Sequence, residues 1–140
     1  MISITYISTA EAPFNPSSLD ELLLASRERN HRNGITGMLL YAGGHFIQTL
    51  EGAHEVVDAT FARIEQDARH RSVYVALREQ LATRVFPDWS MGFETLTADE
   101  ASALLPGFNT YLEGKPISAE DAKALGRAGV FHRVFRDRMR

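Results

Sequence analysis

Five polar side chains stand at positions from which they could serve a bound molecule: Tyr6, Asn30, Gln48, Arg63 and Asp67. Together they offer a phenol, two carboxamides, a guanidinium and a carboxylate, a set suited to a ligand edge that both donates and accepts hydrogen bonds. Gln48 is the most telling of them. Side chains alternate along a strand, so over 45–50 Phe46, Gln48 and Leu50 share one face, while His45, Ile47 and Thr49 share the other. If the Phe46/Leu50 face meets the core, Gln48 is a buried amide. Left without partners it would cost about 1–3 kcal/mol, so something in the fold, or bound to it, must answer it.

The elements that carry these residues follow from apolar period and punctuation. The alternation over 2–8 predicts a strand with Ile2, Ile4 and Tyr6 on one face. Residues 11–16 read as a loop with two prolines. Ser18 with Glu21 resembles a capping box opening a helix that runs to about residue 33, stopped by Gly34. Its apolar stripe is Leu19, Leu22 and Leu23, and steps of four from Leu22 pass through Ser26 to Asn30. Gly43-Gly44 between runs 36–42 and 45–50 marks a hairpin. A helix over 54–67 buries Val57, Phe61 and Ile64, with Arg63 and Asp67 flanking the stripe one turn apart. Strands are expected over 72–79 and 89–96, the latter with Trp89, Met91 and Phe93 on one face. Thr97 with Glu100 predicts a capped helix to about 105, followed by a linker over 109–116. A last helical stretch over 118–139 carries Val130, Phe131, Val134 and Phe135 before an arginine-rich end.

This β-α-β-β-α-β order with an extra strand and C-terminal helices predicts an α+β fold of the ferredoxin-like type, one sheet face covered by two helices. In that topology the first and third strands are neighbours, so Tyr6 and Gln48 face the helices side by side. Asn30 and the Arg63/Asp67 pair then line the gap between the helices. Apolar walls with a few convergent polar groups are the usual form of a small-molecule site.

Bulk composition narrows the classes. At 140 residues the chain is expected to be one core domain over 1–96 with a helical extension over 97–140, too short for an output domain of its own. A net charge of −3 gives no basic excess for nucleic acid or an anionic membrane. The absence of cysteine excludes disulfides, thiolate metal sites and cysteine nucleophiles, and fits a cytoplasmic protein. No run approaches the roughly 20 apolar residues of a membrane span, and the first residues lack a signal-peptide pattern. The five histidines show no metal-ligand spacing. No phosphate-binding glycine loop, Ser/His/Asp set or paired catalytic carboxylates is present, so no enzyme activity is expected.

The run of segments RNHRNGITGMLLY, HFIQTLEG, RIEQDARH and TRVFPDWSMGF after Tyr6 resembles the BLUF domain, the blue-light sensor using flavin, over roughly 1–96. The length resembles that of stand-alone members. The resemblance implies a flavin lying between the two helices: FAD, with FMN or riboflavin as substitutes. It implies that Tyr6 is the light-reactive phenol and Gln48 the amide between it and the ring. Asn30 would bond the ring's polar edge, with Arg63 and Asp67 on the second helix, and Leu22 and Ile64 would sandwich the ring. Arg69 and His70 would lie near the emerging tail, and Ser26, Arg29 and Phe46 complete the expected contacts. Trp89 and Met91 would relay the change through the last strand to the C-terminal helices and on to an effector protein or a second copy.

Taken singly, each residue has a plainer reading. A strand tyrosine is most often a packing residue, an i,i+4 Arg/Asp pair a solvated contact, and a Trp/Met pair simple core. The alternatives are a ferredoxin-like binding module without photochemistry and an acylphosphatase-like hydrolase, whose arginine phosphate loop is missing.

Overall fold

The computed structural model describes residues 1–12, 14–88 and 90–126. Gly43 and Gly44 both take positive φ, 55° and 87°, which glycine reaches without steric penalty. They join two strands, β2 (Thr36–Ala42) and β3 (His45–Gly52), as the predicted hairpin. β1 (Ile2–Ala10) runs antiparallel to β3, with Tyr6 directly opposite Gln48. It extends past the predicted end because the Ala10 amide donates to the Gly44 carbonyl at 2.8 Å. β4 (His70–Gln80) lies outside β1, and β5 (Gly92–Leu96) runs parallel to β2 at the other edge. Among the described residues the sheet order is β4-β1-β3-β2-β5. The ferredoxin-like α+β architecture holds, as an alternating β/α pattern demands.

Helices α1 (Pro16–Asn33) and α2 (His54–Glu65) cover one sheet face. Leu19, Leu23, Val57 and Phe61 pack there on Ile2, Ile4, Leu39 and Leu50. The other face carries Ile7, Met38, Leu40 and Ile47. It is packed with Phe86 and with residues of α3 (Ala98–Leu104), α4 (Phe108–Leu112), α5 (Ala119–Leu125) and their junctions, notably Ala101, Leu105, Phe108 and Leu125.

Several boundaries differ from expectation. α1 opens on a capping box of Asn15 and Ser18, not Ser18 and Glu21. Pro16 is the first helical residue, where a fixed φ and a missing N–H cost nothing. α2 stops at Glu65 instead of reaching 67, because the Asp67 carboxylate accepts from the Arg69 amide two residues on, a local turn that competes with helix. β5 begins at Gly92, so Met91 precedes the strand instead of lying within it. The Ser90 and Met91 carbonyls accept from Asn30 and Arg27 of α1, which removes them from the sheet ladder. Where a linker was expected, α4 forms around the buried Phe108. The Thr97/Glu100 capping box is as predicted. Trp89, and Val130, Phe131, Val134 and Phe135, lie outside the described residues.

Candidate functional site

Tyr6 and Gln48 are both buried on the helix-covered face, 3 % and 6 % exposed. The Tyr6 hydroxyl donates to Gln48 Oε1. Gln48 Nε2 in turn donates to the Met91 sulfur at 3.5 Å. A thioether is a weak acceptor and an amide nitrogen has two hydrogens, so the donor end of Gln48 keeps capacity for a further partner. Burial, with the negative charge of Asp67 added, pushes the Tyr6 phenol well above its ordinary pKa. It therefore stays protonated at neutral pH and donates to Gln48.

The two helices stand apart above this pair and leave a cleft between them. It encloses about 670 Å³ out to its open mouth. Leu22, Ser26, Arg29 and Asn30 of α1 line one wall; Arg63 and Ile64 of α2 line the other with Asp67, Arg69 and His70 just beyond it. Tyr6, Phe46 and Gln48 form the floor. Every flavin-contacting candidate of the sequence reading borders this one cleft.

Their partners differ from those expected. Asp67 does not pair with Arg63. Arg69 binds it instead, donating its backbone amide and Nε to Oδ1 at 2.9 Å and its terminal nitrogen to Oδ2 at 2.5 Å. These hydrogen bonds outweigh partial burial and lower the Asp67 pKa to about 2. Arg63 and Arg29 line the cleft without an ion pair among the described residues. His70 has both ring nitrogens engaged. Nε2 lies 2.5 Å from the Ile64 carbonyl, which can only accept, so that nitrogen carries a hydrogen; Nδ1 meets Ser8 Oγ at 2.8 Å. The ring packs edge-on against Tyr6 and Phe46. Asn30 donates Nδ2 to the Ser90 carbonyl at 3.0 Å.

Phe14, Leu39, Leu50 and Thr60 also line the cleft and were not named as site residues from the sequence. Thr60 was within reach of helical period, one turn before Ile64. Phe14 was not, because it sits in the loop ahead of α1 and is placed by aromatic contact with Tyr41 and Phe46.

A planar ligand whose rim carries carbonyls and N–H groups suits these walls. The cleft offers the amides of Gln48 and Asn30, aliphatic Leu22 and Ile64, and the guanidinium groups of Arg29 and Arg63.

Residues 1–92 match the family model described as BLUF, sensors of blue-light using FAD. The chain is 36% identical over 107 residues, 76% of its length, to photoactivated adenylate cyclase subunit beta of Euglena gracilis. It spans only 12% of that relative. Among solved structures it resembles BlrB, a BLUF protein in its dark state, at 36% identity and a TM-score of 0.73, covering 94% of this chain and 96% of that one. A bacterial light-regulated adenylyl cyclase matches at 32% identity and a TM-score of 0.63, over 81% of this chain and 32% of the other.

Proposed function

The chain belongs to the BLUF family of blue-light sensors that use flavin, and on that premise we propose that light is read by the Tyr6–Gln48–Met91 chain of hydrogen bonds. A flavin in the cleft would supply blue-light absorption and an excited ring able to oxidise a neighbouring phenol. The residues expected to hold it are Leu22, Ser26, Arg29, Asn30, Phe46, Arg63, Ile64, Asp67, Arg69 and His70, with Tyr6 and Gln48 beneath.

The observation that carries this reading is the ordered polarity of the chain. Tyr6 donates, Gln48 Oε1 accepts, and Nε2 points its hydrogen at the Met91 sulfur. An amide can present its two ends in either order, by rotation or by tautomerising. Reversal of Gln48 would set its nitrogen against the Tyr6 oxygen and its oxygen against sulfur, removing the hydrogen bond to Met91. Met91 immediately precedes β5, so the loss would reach that strand and, through it, α3. Trp89 is the second proposed relay residue.

Residues 1–96 would then be the sensing unit and 97–140 its cover and output surface. The sensing unit would pass its change to an effector, as the names of the photoactivated adenylate cyclase relatives suggest. Among the described residues the cleft has no glycine-rich phosphate loop, and its charges are side chains at its border. Ligand recognition therefore rests on the ring, and FAD is expected to be exchangeable with FMN and riboflavin.

The test is optical. The purified protein should be yellow and should show a small reversible red shift after blue light. Riboflavin, FMN and FAD should bind with similar affinity by titration. A colourless protein that refuses added flavin would overturn the reading.

A further inference from the structure

β3 carries, three residues beyond Gln48, a carboxylate with 0 % exposure: Glu51. It is the one buried carboxylate among the described residues. Strand alternation places it on the opposite sheet face from Gln48. Its oxygens accept from the Phe86 amide at 2.7 Å, the Val85 amide at 2.8 Å and the Thr36 hydroxyl at 2.8 Å. Arg84, next in line, donates to the Thr36 hydroxyl, to the Glu51 carbonyl, and at 2.6 Å to the carbonyl of Gly34, the residue that caps α1. Residues 84–86 are thus clasped to the ends of β3 and α1.

The same segment runs on to the cleft. Five residues past Phe86 stands Met91, whose sulfur takes the Gln48 donor. Asn30 and Arg27 of α1 hold the Ser90 and Met91 carbonyls at 3.0 and 2.9 Å. One stretch of chain is therefore fastened at two places, 84–86 and 90–91. The clasp is buried, holds two charge-assisted amide bonds and is tied to the strand that bears Gln48; the other end is a weak thioether contact flanked by one neutral bond from Asn30 and one charge-assisted bond from the more exposed Arg27. A charge-assisted bond to a backbone amide is about twice as strong as a neutral one. The clasp is consequently the end that sets where this stretch can lie.

We infer that Glu51 is a positioning residue for the light switch: by clasping Val85 and Phe86 it presents Met91 to Gln48 and favours the dark orientation of the amide. This rests on the reading of Gln48 as the switch. Glu51→Gln keeps shape but removes charge and turns one end into a donor facing a backbone amide. The clasp should open while the cleft, built from other residues, stays intact.

The experiment uses the full chain carrying ¹³C-methyl methionine, with Met91→Leu to assign the Met91 signal. In E51Q, hydrogen exchange at the Val85 and Phe86 amides should rise at least tenfold and the Met91 methyl signal should move. With flavin bound, thermal return from the lit state should slow several-fold, because the dark orientation has lost its acceptor. Leu104→Ala loosens packing on the same sheet face but breaks none of the hydrogen bonds of the clasp, and should leave both the Met91 signal and the return rate unchanged. If E51Q does not fold, Arg84→Ala, which leaves the carboxylate bonded to both amides, gives the same readouts with smaller changes.

An unmoved Met91 signal, or unaltered exchange at 85 and 86, overturns the inference. So does an unaltered return rate despite an open clasp, which would leave Glu51 a purely structural residue. Failure of the wild-type chain to bind flavin overturns the photochemical reading instead. The exchange and methyl readouts need no flavin and still decide whether Glu51 places Met91.

Discussion

The two faces of the sheet share their strands but solve opposite problems. Below, Ile7, Met38, Leu40 and Ile47 meet Phe86, Phe108 and Leu125 in a filled core. Its polar groups close on each other: the Thr5 hydroxyl bonds that of Thr49 at 2.8 Å, and both oxygens of Glu51 accept within its clasp. Above, α1 and α2 stand over a cleft, and the polar groups keep unused capacity, most clearly the Gln48 nitrogen and the guanidinium groups of Arg29 and Arg63. Consecutive residues of β3 belong to different worlds, Ile47 to the filled face and Gln48 to the hollow one. Stability is invested on one side and ligand response on the other.

The sharpest way to break that division is at the hollow face. Tyr6→Phe removes the donor to Gln48 Oε1 but keeps the ring that packs on Phe61. The variant should fold, bind flavin and stay yellow, with complete loss of the light-induced red shift by difference spectroscopy. A full photocycle in that protein would refute the role of Tyr6. On the filled face, Ile47→Ala should cost about 2–5 kcal/mol of unfolding free energy, since a fully buried side chain leaves a cavity behind. Denaturant titration should show that cost equally with and without flavin, and the surviving folded protein should retain its red shift. Leu22→Ala reverses the pattern. Its half-buried side chain borders the cleft, so flavin affinity should fall by about tenfold or less while the stability of the flavin-free protein changes by under about 1.5 kcal/mol.

Which parts of this arrangement could be read from the sequence follows the range of the forces involved. Thr36–Ala42 was bounded correctly because alternation and flanking glycines are local signals. The facing of Tyr6 and Gln48 followed from topology plus period two, and Asn30 from steps of four along α1. Met91 was misplaced within a strand because its backbone is claimed by Arg27, 64 residues away, which no local pattern reports. The Arg63–Asp67 spacing suggested a helix pair, yet the nearer Arg69 wins the carboxylate once the helix ends. Glu51 left a legible trace that was passed over: a carboxylate on the strand face opposite Gln48, where Ile47 predicts core.

Acid sharpens the same contrast with a smaller effect. The Asp67 pKa, about 2 against an ordinary 3.8, is held down by Arg69. A depressed carboxylate pKa contributes stability above its unfolded value and loses it as pH falls through the folded one. The Asp67 contribution should therefore be complete above about pH 4 and gone near pH 2. The group is partly exposed, so solvent screening keeps the effect to under about 1 kcal/mol. Asp67→Asn should unfold slightly more easily at neutral pH and converge on the wild type near pH 2 in acid titrations. The substitution also removes a charge that raises the Tyr6 phenol, so the flavin spectrum should report it.

His45 provides the counterpart on the filled face, and the smallest effect. Its ring packs edge-on against Phe108 and Tyr111, and Nδ1 lies 3.1 Å from the Thr9 hydroxyl. Burial lowers its pKa from 6.5, and the charge of Arg71 pushes the same way against a bond to the Ser8 backbone. A histidine with a lowered folded pKa favours the neutral state, so its contribution is present above the unfolded value and declines as pH falls through the folded one. Below about pH 6.5 the melting temperature of the wild type should drop faster than that of His45→Gln. Because this ring belongs to the filled face, the flavin spectrum and the red shift should not follow that titration. If the red shift of the wild type tracks His45 protonation, the two faces are coupled through β3, and the separation between packing and sensing fails at that residue.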